Sequence, residues 1–234
     1  MIQINPRTSN NGLIYYLDAS IPASYSGSGV TVRDLSIQQK LPTTLINGAT
    51  GNTINNVKVF SFDGIDDYAE ANATDVFTVV PSDFTFECWM GFDRTTRGAL
   101  IGFVGAGGGT VNRVHLEVRG PFDRIISRTT DGTTSFLTEW DFFNTTDYPN
   151  YFNQIVMTCE VGYVNIYVNG QLVQSNPSTV VNSLIPTSLR FSRAGNVSGS
   201  FLKSDISIIK IYDRTLSSGE ILQNYNNLKT RFGL

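Results

Sequence analysis

Residues 153–174 read N-Q-I-V-M-T-C-E-V-G-Y-V-N-I-Y-V-N-G-Q-L-V-Q, and this stretch constrains the fold more than any other. Ile155, Met157, Cys159 and Val161 alternate with Val156, Thr158 and Glu160. After a turn near Gly162, Val164, Ile166 and Val168 alternate with Tyr163, Asn165 and Tyr167. A side-chain period of two sends the two sets to opposite faces of a strand. Asn169-Gly170 tolerates positive φ at both positions and closes a type I′ hairpin into Leu172-Val173. The stretch is therefore read as a three-stranded antiparallel meander.

Similar short runs fill the rest of the 234 residues. Strands are expected at 12–20, 30–35, 45–48, 57–62, 68–71, 84–92, 100–104, 114–118, 124–128, 136–140, 189–192 and 201–212. Gly, Pro or Asp-Gly signals separate many of them, and residues 49–56 are read as loop. Only the end looks helical. Ser217 and Glu220 have capping-box spacing, and Ile221, Leu222, Tyr225 and Leu228 fall on one helical face. About a dozen strands and one terminal helix imply an all-β antiparallel β-sandwich. No linker divides the chain, so one domain is expected over 12–234, with its helix at 217–230 and an N-terminal arm at 1–11.

Charge excludes one class of partner. Charged residues make up 16 % of the chain, the formal charge is −3, and no Lys/Arg run occurs. Nucleic acid is not an expected partner. The first eleven residues lack an apolar signal segment, and no apolar run could span a bilayer, so synthesis in a host cytoplasm without membrane insertion is expected. Cys88 and Cys159 fall inside strands and read as buried free thiols. Sequons at Asn72, Asn144 and Asn196 carry little weight without a secretory route.

Five segments, in order, carry a resemblance. They are G-L-I-Y-Y-L-D (12–18), F-D-G-I-D-D-Y (62–68), F-T-F-E-C-W-M (84–90), V-N-I-Y-V-N-G-Q-L-V (164–173) and I-S-I-I-K-I-Y-D-R-T-L-S-S-G-E-I (206–221). Together they resemble the laminin-G-like branch of the concanavalin A-like lectin/glucanase superfamily. That implies a jelly roll of two curved sheets, with a glycan or protein ligand at a rim or on the concave face. The opening L-D-A-S-I-P-A-S-Y-S-G-S-G and the closing I-L-Q-N-Y-N-N-L-K-T-R-F resemble a variety found in tailed-phage structural proteins.

Glucanases of this fold use Glu-x-Asp-x-x-Glu. Here Glu139 and Asp141 match, but Asn144 replaces the third carboxylate, so a retaining mechanism lacks a catalytic group. Asp63, Asp66 and Asp67 offer hard oxygen ligands in one loop, a candidate Ca²⁺ site of the kind such relatives carry at a rim. His115, the sole histidine, has no nucleophile or second ligand in its pattern. The Gly-rich stretch 105–109 precedes no helix and reads as a loop rather than a phosphate cradle. Tyr163, Asn165 and Tyr167 share a strand face and form the candidate carbohydrate-binding set. The expected function is a non-enzymatic structural and adhesive module of a virion, as capsid decoration or fibre-associated protein. Its expected partners are other virion proteins, in an oligomer or on a particle, and cell-surface glycans. The alternatives are a dedicated lectin and, further off, a glycoside hydrolase. Residues 1–11 and 217–234 are the expected docking elements.

Overall fold

The computed structural model describes residues 9–39, 41–75, 79–106, 113–119, 124–130, 135–141, 151–178, 184–195 and 199–234. The strands, in chain order, are β1 (Leu13–Asp18), β2 (Thr31–Val32), β3 (Thr43–Ile46), β4 (Thr50–Ile54), β5 (Val57–Asp63), β6 (Tyr68–Asn72), β7 (Phe84–Phe92) and β8 (Arg97–Gly105). They continue as β9 (Arg113–Arg119), β10 (Arg124–Thr130), β11 (Ser135–Asp141), β12 (Asn153–Glu160), β13 (Gly162–Val168), β14 (Gln171–Ser178), β15 (Pro186–Phe191) and β16 (Lys203–Tyr212). One helix, α1 (Ser218–Leu228), and a 3₁₀ turn over Lys229–Phe232 follow.

The strands form two eight-stranded antiparallel sheets. Sheet A runs β14-β13-β12-β7-β16-β5-β4, with β1 paired to β16; sheet B runs β11-β10-β9-β8-β15-β6-β3-β2. The inner faces meet in a core that includes Phe84, Phe86, Cys88 and Met90 from β7 and Phe103, Leu116, Leu189 and Phe191 from sheet B. Burying these faces supplies the main drive to fold. Both cysteines are buried and free, as the strand pattern implies.

The meander forms as the alternation requires. Ile155 pairs with Val168 and Cys159 with Val164, and Asn169 and Gly170 take φ of 50° and 79°. Residues 49–56, read as loop, instead hold β4. Asn55 and Asn56 take φ of 50° and 65° and turn β4 back onto β5. Asparagine adopts the left-handed region more readily than most residues, so Asn-Asn acts here as Asn-Gly does at 169–170.

The capping box is present. Ser217 Oγ accepts from the Glu220 N–H at 3.3 Å, and Glu220 Oε2 accepts from the Ser217 N–H at 2.9 Å. The apolar stripe of α1 then lies on the outer face of sheet A. Ile221 packs with Val156, Tyr167, Tyr212 and Leu216, while Phe232 stacks on Trp89 at 4.5 Å between centroids. The chain's own sheet takes Ile221, Tyr225 and Leu228 of the stripe in the segment expected to dock on a partner, and leaves Leu222 exposed.

The helix also seals a polar layer. On β7, Thr85, Glu87 and Trp89 point away from the core, and all three are fully buried. Glu87 accepts hydrogen bonds from Trp89 Nε1 (3.0 Å), Gln154 Nε2 (2.9 Å) and Asn224 Nδ2 (2.8 Å). Lys210 Nζ lies 3.9 Å from Glu87 Oε2 and is buried with it. Residues 1–8 of the expected arm lie outside the described residues. Ser9 is held on the helix: its N–H donates to Asn224 Oδ1 at 2.9 Å, and its carbonyl accepts from the Tyr212 hydroxyl at 3.1 Å.

Candidate functional site

The candidate sugar-binding trio divides. Tyr163, Asn165 and Tyr167 do share the outer face of sheet A, but α1 covers Tyr167, which is 7 % exposed beside Leu216 and Ile221. Asn165 donates to Thr158 Oγ1 at 3.2 Å, and Tyr163 stays half exposed. The face therefore offers one open ring and one engaged amide, and Tyr167 cannot stack on a ligand while the helix is in place.

The candidate Ca²⁺ ligands converge. Asp63, Asp66 and Asp67 each place a carboxylate oxygen within 4.8 Å of the others. The turn positions them: Asp63 Oδ1 accepts from the Ile65 N–H at 2.8 Å, and Asp67 Oδ2 accepts from the Asp63 N–H at 3.1 Å. Asp67 is buried, and its Oδ1 closes no hydrogen bond among the described residues. Burial raises the Asp67 pKa, and the Asp63 and Asp66 charges raise it further. Asp205 is not part of this group; it accepts from the hydroxyls of Ser61 and Tyr151.

Glu139 and Asp141 share a face of β11 as their spacing implies, and one guanidinium ties both. Arg124 Nη1 lies 2.8 Å from Glu139 Oε2, and Arg124 Nε lies 2.6 Å from Asp141 Oδ1. They stand beside each other on one strand. Asn144, the sequon at Asn196 and Gly107 to Gly109 lie outside the described residues.

A cluster missed by the linear reading dominates the outer face of sheet B. The register sets Arg97 opposite Arg119, Arg119 opposite Arg124, and Arg124 opposite Asp141. Like charges directly opposite on neighbouring strands repel, so the row needs carboxylates. Glu117, fully buried on β9, supplies one. Its Oε1 lies 2.7 Å from Arg97 Nε and 3.5 Å from Arg119 Nε, and its Oε2 lies 2.8 Å from His115 Nε2. Burial raises the Glu117 pKa, but His115 and Arg97 outweigh it and hold the carboxyl far below its ordinary range. His115 is therefore part of an ion-pair cluster. As the chain's sole histidine it has no second imidazole with which to share a zinc ion.

Further along the same face, Arg190 Nε donates to Glu70 Oε1 at 2.9 Å and its Nη1 to the Gly195 carbonyl at 2.9 Å. Between these rows Gly102 is obligatory, since an added Cβ would fall 2.5 Å from His115 Cβ. At the rim beside the arginine row, Ile125 and Trp140 of sheet B meet Phe92, Asn153, Ile155 and Val168 of sheet A around a cleft of about 20 Å³. That holds about one water, too little for a sugar ring. A roomier polar groove of about 300 Å³ lies at the β4–β5 edge, lined by Tyr25, Asn52, Thr53 and Lys58.

Two antiparallel sheets packed face to face define a jelly-roll sandwich. The chain belongs to the concanavalin A-like lectin/glucanases superfamily: its laminin G family matches residues 63–222, more than half of the chain. No curated protein matches it by sequence. Among solved structures, it is similar to the receptor binding domain of botulinum neurotoxin D, with TM-score 0.70 and 16 % identity over 93 % of this chain and 53 % of that one. The serotype D ligand binding domain in complex with N-acetylneuraminic acid gives TM-score 0.71 and 18 % identity, over 93 % and 51 %. The type G receptor binding domain gives 0.68 and 19 %, over 92 % and 51 %. The chain thus spans about half the length of these structures, and at such identity the likeness is one of fold.

Proposed function

We propose that this chain is a non-enzymatic adhesive module that binds glycans through the outer face of sheet B and serves as a structural component of a virus particle. The observation that carries the binding reading is that outer face: arginines and carboxylates in register across β8 to β11, held by a buried acid. Rigid placement lowers the ordering cost of binding. That one similar structure holds N-acetylneuraminic acid is consistent with a sugar ligand. The non-enzymatic reading rests on Glu139 and Asp141, which one arginine binds side by side. The particle context rests on the resemblance of residues 17–29 and 221–232 to tailed-phage structural proteins. Its partners there would be other capsid or tail proteins.

Two measurements test this reading. Mass spectrometry of purified particles should find the chain in stoichiometric amount; its absence from particles removes the structural role. Incubation with glycans that it retains should release no reducing sugar, and Glu139→Gln should change nothing. Release that is lost in Glu139→Gln would restore the hydrolase.

A calcium site at Asp63, Asp66 and Asp67 forms part of the proposal. The three carboxylates suit a hard cation, which would relieve their mutual repulsion and engage Asp67 Oδ1. They would supply only part of its six to eight ligands. The sign of the pH dependence follows from Asp67. Its folded pKa is raised, so without a cation it destabilises the fold increasingly as pH climbs from the ordinary carboxylate value through the folded one. Calcium at a hundredfold excess over its dissociation constant should add about 2.7 kcal/mol near neutral pH and much less in acid. Asp67→Asn should melt higher than the native chain in chelator and lose the calcium response. A melting temperature indifferent to calcium at neutral pH removes the site.

A further inference from the structure

We propose that Lys210 and Asn224 join in an intramolecular isopeptide bond, formed with loss of ammonia and assisted by Glu87, which fastens α1 to β16.

The sealed layer under the helix brings together an amine, a primary amide and a carboxylate. Lys210 is 2 % exposed, and Glu87 and Asn224 are fully buried. Asn224 Nδ2 donates to Glu87 Oε2 at 2.8 Å, and Lys210 Nζ lies 3.9 Å from that same oxygen. The amine and the amide are therefore neighbours on one carboxylate. Burial also keeps out water, the competing nucleophile.

Lys210 is the unusual member. An ammonium carries three donors, and buried polar groups are as a rule hydrogen-bonded. Among the described residues, Lys210 Nζ closes no hydrogen bond. It faces the ring of Tyr16, 5.7 Å from the centroid. A lysine that served only to neutralise Glu87 would donate to it; here Asn224 donates to that oxygen instead. Holding an ammonium and a carboxylate in this layer is costly, and amide formation removes both charges.

The amide is placed to be attacked. Asn224 Oδ1 accepts from the Ser9 N–H at 2.9 Å, a backbone donor aimed at the oxygen where negative charge would develop. The Tyr212 hydroxyl accepts from Nδ2 at 3.2 Å and holds the nitrogen that would leave.

The step balances without a further reagent. Glu87 takes a proton from the Lys210 ammonium, and the freed Nζ lone pair attacks Asn224 Cγ. The carbonyl π pair moves to Oδ1. Glu87 then passes its proton to Nδ2 and takes a second one from Nζ, as a general acid–base. The Oδ1 pair reforms the carbonyl, the Cγ–Nδ2 bond breaks, and ammonia leaves. Nζ–Cγ is the new amide bond, Glu87 ends protonated, and nothing is oxidised or reduced.

The test is tandem mass spectrometry of the denatured, trypsin-digested native chain. Peptides 204–214 and 215–229 should appear as one branched species, uncut after Lys210 and lighter than the two together by one ammonia. Lys210→Arg keeps a cation beside Glu87 but offers no such amine, and should keep its full mass. Glu87→Gln should leave the peptides separate at times when the native chain is fully joined. Separate peptides from the native chain overturn the bond, and this reading stands even if a variant fails to fold. An ammonia loss that persists in Lys210→Arg marks cyclisation at another asparagine and overturns the assignment to Lys210. Joining as fast in Glu87→Gln overturns the role of Glu87.

Discussion

Replacing Glu87 by alanine is expected to cost about 3–5 kcal/mol of folding stability. The loss comes from what the residue leaves behind. Lys210, 3.9 Å away and buried, would keep its charge without a counter-ion. Trp89 Nε1, Gln154 Nε2 and Asn224 Nδ2 would lose their acceptor at once. Breaking a buried pair costs more than the pair itself contributes, because the orphaned group cannot regain water. The double variant Glu87→Ala/Lys210→Met should therefore recover a good part of the loss. Equilibrium urea unfolding of the native chain and the two variants measures both effects. A single-variant loss under about 1 kcal/mol, the size of an ordinary substitution, would contradict the sealed polar layer.

The second large effect concerns the ring stack beneath the carboxyl-terminal turn. Trp89 is fully buried, lies 4.5 Å from Phe232 and 6.0 Å from Tyr225, and neither stack departs far from parallel. Trp89→Ala removes the largest buried side chain of sheet A's outer face and should cost about 3–5 kcal/mol. Phe232→Ala should cost a similar amount by freeing the 3₁₀ turn. Because the two rings share one contact, the double variant should lose clearly less than the sum of the singles. Urea midpoints settle this too. Strict additivity would mean that the turn does not pack on Trp89.

The strands and the helix were legible because their signals are local. Alternation at 153–174, Asn-Gly at 169–170 and the Ser217/Glu220 box each act within a few residues. The pairing of sheets was not legible, and that is where the candidate site lies. Arg97, Arg119 and Arg124 are far enough apart in the chain to look isolated, and only the register of β8, β9 and β10 puts them in a row. One signal was present: Arg113, His115, Glu117 and Arg119 alternate with Val114, Leu116 and Val118. That spacing assigns four ionisable groups to a single strand face, which the reading of His115 alone did not pursue.

The helix is a related case. Its apolar stripe is visible in sequence, but the stripe does not say what covers it. The counterpart was hidden in β7, where Trp89 and Glu87 alternate with Phe86, Cys88 and Met90. A tryptophan on the face opposite Phe86, Cys88 and Met90 was the one local sign of a cover over sheet A. The same cover removes Tyr167 from the expected sugar face. The aspartate trio was found because its three members lie within one turn, at 63, 66 and 67.

The most direct test of the account is a glycan array probed with the purified native chain and read beside a reducing-sugar assay on whatever is retained. The account predicts a bound subset of glycans, recovered intact. A blank array, or bound sugars returned cleaved, would contradict it.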